Sequence, residues 1–261
     1  MTRRTTPWPI GVPCWIDLAS TDVDAAKKLY GAALGWEFED QGSEYGDYVM
    51  CRVGEGDAAG IGPVQEGAPA AWTVYFASDD ADATARAVAD AGGHVLAEPF
   101  EVGVLGRMLV AADPGGAAFG VWQAREHIGA SHVNEPGGLV WEDLAVPDPD
   151  AARAFYGAVF GFVYDELPEG APAGYQLFRR PDEPWPLGGM GGLAAGAYPS
   201  WLPYFSVRDT DAAVATALDN GGVLVQEAHD SEFGRQAVLA DGDGAVFSVI
   251  QDIPGAPQPD R

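Results

Sequence analysis

One pattern occurs four times in this chain: an alternating strand-like run, an aspartate-led turn, and an amphipathic helix that stops near glycine. The helical copies are "DVDAAKKLYGAALG" from Asp22, "DADATARAVADAGG" from Asp80, "DPDAARAFYGAVFG" from Asp148 and "DTDAAVATALDNGG" from Asp209. Each opening Asp is placed to cap free helix amides, and the acidic first turn suits the helix dipole. In the first copy Ala25, Ala26, Leu29, Ala33 and Leu34 fall near one face, which predicts a helix over 22–34. The Gly pairs at 92–93 and 221–222 read as C-terminal stops. A fixed repeat means that the fold is built from copies of one supersecondary unit.

Strand-like runs fill the space between the helices. In the first half they are "WEFED", "YVMCRV", "WTVYFAS", "HVLAEPFEV" and "RMLVAAD"; in the second, "FVYDEL", "YQLFRR", "YFSV", "VLVQEA" and "AVFSVI". Each unit therefore reads as βαβββ. One such unit would leave a sheet face uncovered, so the units must pair. The expected architecture is α+β: a first domain over 8–124, a linker over 125–135 within "REHIGASHVNEPGG", and a second domain over 136–252.

Charge narrows the partners. With 14 basic against 39 acidic residues the formal charge is -25, a field that repels phosphate backbones and anionic lipid heads. Neither nucleic acid nor membrane is an expected partner; a small molecule, aromatic or cationic, is. No apolar run approaches the ~20 residues of a membrane span, and "MTRRTTPWPIGVP" lacks the apolar segment of a secretory signal. A cytoplasmic monomer or homodimer is expected, with Cys14 and Cys51 as buried reduced thiols.

The runs "LYGAALGW" and "FYGAVFGF", with the later "ADPGGAAFGVWQ" and "ADGDGAVFSVIQ", resemble the vicinal oxygen chelate superfamily of glyoxalases, extradiol dioxygenases and bleomycin-resistance proteins. The resemblance covers nearly the whole chain and looks most like tandem-domain glyoxalase-like or hydroxylase members. It implies four βαβββ modules paired into two domains, each with a curled mixed sheet around a cleft. In metal-dependent members of that family His, Gln or Glu ligands stand on the inner strands. Counted from the helix-opening aspartates, the resemblance puts those positions at Trp15 and Thr73 in the first half and at Trp141 and Leu202 in the second. The final carboxylate position falls on Gly120 and Ser248. Zinc or iron needs three or four converging N, O or S donors. The four histidines, His94, His127, His132 and His229, lie elsewhere, and the two in the linker are expected to be solvated. No metal and no other cofactor is expected.

Strand alternation sends Trp15 and Asp17 to one face, and Trp141 and Asp143 likewise. The resemblance makes that the cleft face. An inward carboxylate is costly unless it is paired, hydrogen-bonded or open to a filled cleft. Asp17 and Asp143, with Tyr75 and Tyr204 from the second modules, are therefore the expected acid–base groups. Trp15, Thr73, Trp122, Trp141, Leu202 and Ser248 are the expected ligand-contacting residues, and Ile250 completes the second set. Arg52, Arg107, Arg179 and Arg235 are candidate ion-pair partners for the carboxylates. The glycine runs "GIGPV" and "GGMGG" either admit a planar ligand close to the backbone or mark a bend in the sheet.

Two functions follow. One is a metal-independent protein that holds an organic, aromatic molecule in a Trp/Asp/Tyr-lined cleft, acting as a lyase, isomerase or hydroxylase-like tailoring enzyme of secondary metabolism. The other is sequestration of a cationic planar drug, as the resemblance to bleomycin-resistance proteins implies. A metal-dependent glyoxalase or dioxygenase ranks behind both. The first half, with Thr73 where the second has Leu202, is the expected more selective binder.

Overall fold

A computed structural model describes residues 4–167, 174–194 and 196–252. The first half runs β1 (Pro13–Ser20), α1 (Val23–Leu34), β2 (Glu37–Asp40), β3 (Val49–Val53), β4 (Gly56–Pro63), β5 (Ala71–Ala77), α2 (Ala81–Asp90), β6 (His94–Val102), β7 (Gly106–Ala112) and β8 (Ala118–Ala124). The second repeats it as β9 (Leu139–Val146), α3 (Pro149–Phe160), β10 (Val163–Glu166), β11 (Gln176–Arg179), β12 (Gly188–Gly192), β13 (Ser200–Ser206), α4 (Thr210–Asp219), β14 (Val223–Ser231), β15 (Gly234–Ala240) and β16 (Val246–Asp252). These are the four expected βαβββ modules. Strands β8 and β15 join those legible as separate runs.

Local chemistry starts every helix the same way. Asp22, Asp80, Asp148 and Asp209 are N-caps, each accepting a hydrogen bond from the backbone N–H three residues on, at 3.0, 2.9, 3.0 and 3.0 Å. Modules pair edge to edge within each half. The antiparallel contacts β1–β5 and β9–β13 weld two four-stranded units into eight-stranded mixed sheets, ordered β2-β3-β4-β1-β5-β8-β7-β6 and β10-β11-β12-β9-β13-β16-β15-β14.

The helices, by contrast, pair across the halves: α1 packs on α4 and α2 on α3. They are sandwiched between the two sheets, where Tyr30, Trp36 and Trp72 meet Phe205 and Phe247, and Phe76 and Phe119 meet Tyr156 and Trp201. One buried apolar cluster therefore runs through both halves. Its few polar groups are bonded: Trp72 donates to the Tyr30 hydroxyl, which donates to Asp241 of the other half at 3.1 Å. With the apolar faces of the sheets turned inward to the helices, the opposite faces are left for the clefts. Among the described residues no helix is long and apolar enough to cross a membrane.

Candidate functional site

Register brings the expected cleft residues side by side. On the first sheet Asp17 lies opposite Thr73, Trp15 opposite Tyr75, and Tyr75 opposite Gly120. On the second, Asp143 lies opposite Leu202, Trp141 opposite Tyr204, and Tyr204 opposite Ser248. Their alternation partners Ile16 and Leu18 are fully buried against the helices, whereas Asp17 and Thr73 are half-buried.

In the first cleft Asp17 Oδ2 accepts hydrogen bonds from Tyr75 at 3.1 Å and from Tyr48 at 3.3 Å. The Tyr48 oxygen in turn accepts the Trp15 indole N–H at 2.9 Å. Among the described residues neither Asp17 Oδ1 nor the Thr73 hydroxyl carries a hydrogen bond. Burial pushes the Asp17 carboxyl up to about 7, against the two phenol hydrogen bonds that pull it down. In the second cleft Asp143 Oδ1 accepts from Trp141 at 2.8 Å and Tyr175 at 2.6 Å, while Oδ2 accepts from Tyr204 at 2.8 Å. Burial raises Asp143 as well, opposed by its three donors. All four phenols are held protonated, first by burial and then by the adjacent carboxylate.

The arginines named as candidate partners are engaged elsewhere. Arg52 binds Glu39 and Asp57, Arg107 binds Asp82 and Glu101, Arg179 binds Asp165, and Arg235 binds Asp211 and Asp230. The cleft carboxyls are thus solvated by neutral donors alone. Such an arrangement raises both carboxyls and keeps the Asp17 proton exchangeable near neutrality, where a guanidinium partner would lock the carboxylate ionised.

Tyr48 and Tyr175 were not among the expected residues, and the glycine runs explain them. Gly60 lies opposite Asp17 and Gly189 opposite Asp143. A Cβ on Gly60 would fall inside the Tyr48 hydroxyl, and one on Gly189 inside the Tyr175 hydroxyl. The planar group lying against β4 and β12 is the protein's own tyrosine, in the place expected for a planar ligand. The sequence signal was the repeat itself, since "YVMCR" and "YQLFR" both precede a Gly-x-Gly run.

The linker also departs from expectation. His127 is half-buried and stands edge-on to Trp15, with ring centroids 4.5 Å apart, and 5.6 Å from Trp122. Its Nε2 is buried without a hydrogen-bond partner among the described residues, and burial lowers its pKa. Trp15 and Trp122 are 4% and 6% exposed, and the Trp122 indole donates to the His127 carbonyl at 2.8 Å. His132 is likewise half-buried, with Nε2 3.0 Å from the Pro136 carbonyl. The linker histidines are held, not solvated, because Ala130, Ser131 and His132 tie the segment to Cys14 and Asp57 by backbone hydrogen bonds.

In the second half Ser248 and Ile250 are buried, and Ser248 spends its hydroxyl on the Ala237 carbonyl at 3.0 Å. Trp141, Leu202 and Tyr204 are half-exposed. A recess of about 270 Å³ shares Trp122 with the first cleft but is otherwise lined by residues such as Trp8, Cys14 and Ile128 at the strand ends. The groups able to move protons lie instead on the sheet face.

These residues do not fit a metal of the family type. An indole, a hydroxyl and a glycine occupy the first set of positions, and the Tyr75 ring covers Gly120, where a carboxylate ligand would project. Among the described residues no group of three or more His, Cys, Asp or Glu is arranged to hold a metal ion.

Comparison with known proteins agrees with the fold. A model described as the Glyoxalase/Bleomycin resistance protein/Dioxygenase superfamily matches residues 14–121, and one described as a Glyoxalase-like domain matches 140–250. The chain is 40% identical over 252 residues to a putative glyoxylase, CFP32, of Mycobacterium tuberculosis, covering 94% of this chain and 96% of that protein. It is 38% identical over 272 residues to the anthracycline biosynthesis protein DnrV of Streptomyces peucetius, covering 95% of each. Among solved structures it resembles the Mn(II)-bound glyoxalase from Novosphingobium aromaticivorans, with a TM-score of 0.64, 14% identity, and coverage of 93% and 83%. It also resembles 2,2',3-trihydroxybiphenyl 1,2-dioxygenase from Sphingomonas wittichii, with a TM-score of 0.63, 13% identity, and coverage of 93% and 91%. At such identities the structural likeness speaks for fold alone.

Proposed function

Because the chain belongs to the glyoxalase/bleomycin resistance/dioxygenase superfamily while its clefts carry carboxyl–phenol clusters, we propose that it is a metal-independent acid–base tailoring enzyme acting on an organic, aromatic small molecule. The observation that carries this reading is the pair of unengaged groups in the first cleft, Asp17 Oδ1 and the Thr73 hydroxyl, side by side on adjacent strands. A carboxyl that titrates at about 7 is matched to giving and taking a proton near neutral pH. Tyr75 and Tyr48 hold the other oxygen, which leaves Oδ1 without a protein donor. Thr73 supplies a hydroxyl that orients a ligand oxygen or nitrogen. Trp15 and Trp122, expected to touch a ligand, are instead buried against His127, so a ligand on this face meets the carboxyl and the hydroxyl rather than the indole rings. The relatedness to an anthracycline biosynthesis protein supports a polycyclic aromatic substrate.

The test is turnover of a panel of polycyclic aromatic ketones and phenols in D2O, read by mass spectrometry for deuterium uptake or product. Conversion by metal-free protein that Asp17→Asn abolishes is the expected result. Conversion that requires a stoichiometric metal, or an Asp17→Asn protein with full activity, overturns the reading.

A second reading is favoured by the second cleft. There a carboxyl with no basic partner sits among half-exposed Trp141, Tyr175 and Tyr204, a setting that suits capture of a cationic planar molecule. Tight binding of such a cation without turnover of any panel member would favour sequestration.

A further inference from the structure

The two clefts contain the same cluster, and they differ in where one indole proton goes. Trp15 donates to Tyr48 at 2.9 Å, whereas Trp141, although near enough to Tyr175 to favour its phenolate form, is directed at Asp143 Oδ1 at 2.8 Å. The consequence is visible on the carboxyls. Asp143 has both oxygens engaged by three donors, while Asp17 has both of its donors on Oδ2 and none on Oδ1.

We infer that Tyr48 is a positioning residue for Asp17: by accepting the Trp15 indole N–H on its own oxygen and donating to Oδ2, it keeps Oδ1 free for the ligand. A phenol suits this task because one oxygen both accepts and donates. The indole N–H of a buried tryptophan must be bonded somewhere. Trp15 stands two residues from Asp17 on the same strand face, and the second half demonstrates that an indole in that relation reaches the carboxylate. Tyr48 intercepts that bond. Gly60 is part of the device, because only a residue without Cβ leaves room for the Tyr48 hydroxyl above β4. The inference rests on the reading of Asp17 as the acid–base group, and its test is independent of that reading.

The experiment is a 1H–15N spectrum of the indole groups in the full chain, with the Trp15 signal identified by its loss in Trp15→Phe, combined with carbodiimide labelling of carboxyls read by mass spectrometry. In the wild type the Trp141 signal should follow the titration of its carboxylate acceptor, while the Trp15 signal, bonded to a phenol, moves little. In Tyr48→Phe the Trp15 signal should begin to follow a carboxylate, and labelling of Asp17 should fall by about tenfold, the worth of one hydrogen bond. Gly60→Ala, which displaces Tyr48 without removing it, should act in the same direction if Tyr48→Phe does not fold. A Trp15 signal unmoved in both variants, or Asp17 labelling unchanged, overturns the inference. Retained turnover in Asp17→Asn alongside a shifted Trp15 signal in Tyr48→Phe would instead sink the proposed function and leave the positioning role standing.

Discussion

In the first cleft a carboxyl keeps one oxygen free beside a threonine; in the second the same carboxyl has both oxygens taken and a leucine beside it. Both clusters are assembled from the same strands, the same Trp-x-Asp step and the same tyrosine seated on glycine. The chemistry therefore does not reside in the inventory of residues. On the proposed function it resides in how the same three donors are arranged: with the indole on the phenol, two donors share one oxygen and leave the other for chemistry, whereas with the indole on the carboxylate three donors cover both oxygens.

The sharpest way to break this comparison is to remove each carboxyl. Asp17→Asn should lower turnover by roughly 10²–10⁴-fold, the usual worth of a general acid–base group, with thermal stability within about 1 kcal/mol of wild type. Asp143→Asn should do the reverse, with turnover within a few-fold and a stability loss of about 1–3 kcal/mol, because three buried donors lose a full acceptor. Parallel melting curves and rate measurements on the two variants check this, and equal losses of activity in both would dissolve the asymmetry.

Exchanging the residue across the strand is a milder intervention. Thr73→Leu copies the second cleft into the first and should cost about tenfold in binding of a ligand that carries a hydroxyl or carbonyl, as expected when one hydrogen bond is lost. Its mirror, Leu202→Thr, should bring no turnover to the second cleft, since Asp143 remains fully engaged. Quenching of indole fluorescence by hydroxylated and unsubstituted aromatic probes separates the two outcomes.

A further expected effect is on pH dependence. Asp17 titrates at about 7 in the folded chain and near 3.9 when unfolded. The folded state thus holds this proton more tightly, so the contribution of this group to stability is fully present below about pH 4 and is lost as pH rises to about 7. The slope from this group is at most ~1.4 kcal/mol per pH unit, and less to the extent that solvent reaches the half-buried carboxyl. Denaturant midpoints across pH 4–8 for wild type and Asp17→Asn give the difference directly; superimposable profiles would remove Asp17 as a perturbed group.

Much of this was legible beforehand. The fourfold repeat gave four βαβββ modules, because an Asp cap followed by a 3.6-residue apolar stripe is a local signal that needs no tertiary context. Parity placed Trp15, Asp17, Thr73 and Tyr75 on one face, since side-chain direction along a strand alternates whatever the fold. The lack of ligating side chains at the family's metal positions was equally plain from residue identity. Tyr48 and Tyr175 escaped because their strands are separated from β1 and β9 by a helix and a hairpin, and nothing local says which tyrosine will cross a neighbouring strand.

What the sequence by itself determined, then, was the unit, its number and the residues offered to each cleft. Tertiary structure alone decided three further things. It paired the sheets within the halves but the helices across them, which makes one shared core of two similar domains. It drew His127 from the linker against Trp15. And it settled that one indole bonds a phenol while its counterpart bonds a carboxylate. The physical reason is range: helix caps and strand parity are fixed by residues a few positions apart, whereas the choice between two acceptors depends on placements of a few tenths of an ångström among strands brought together only by the fold.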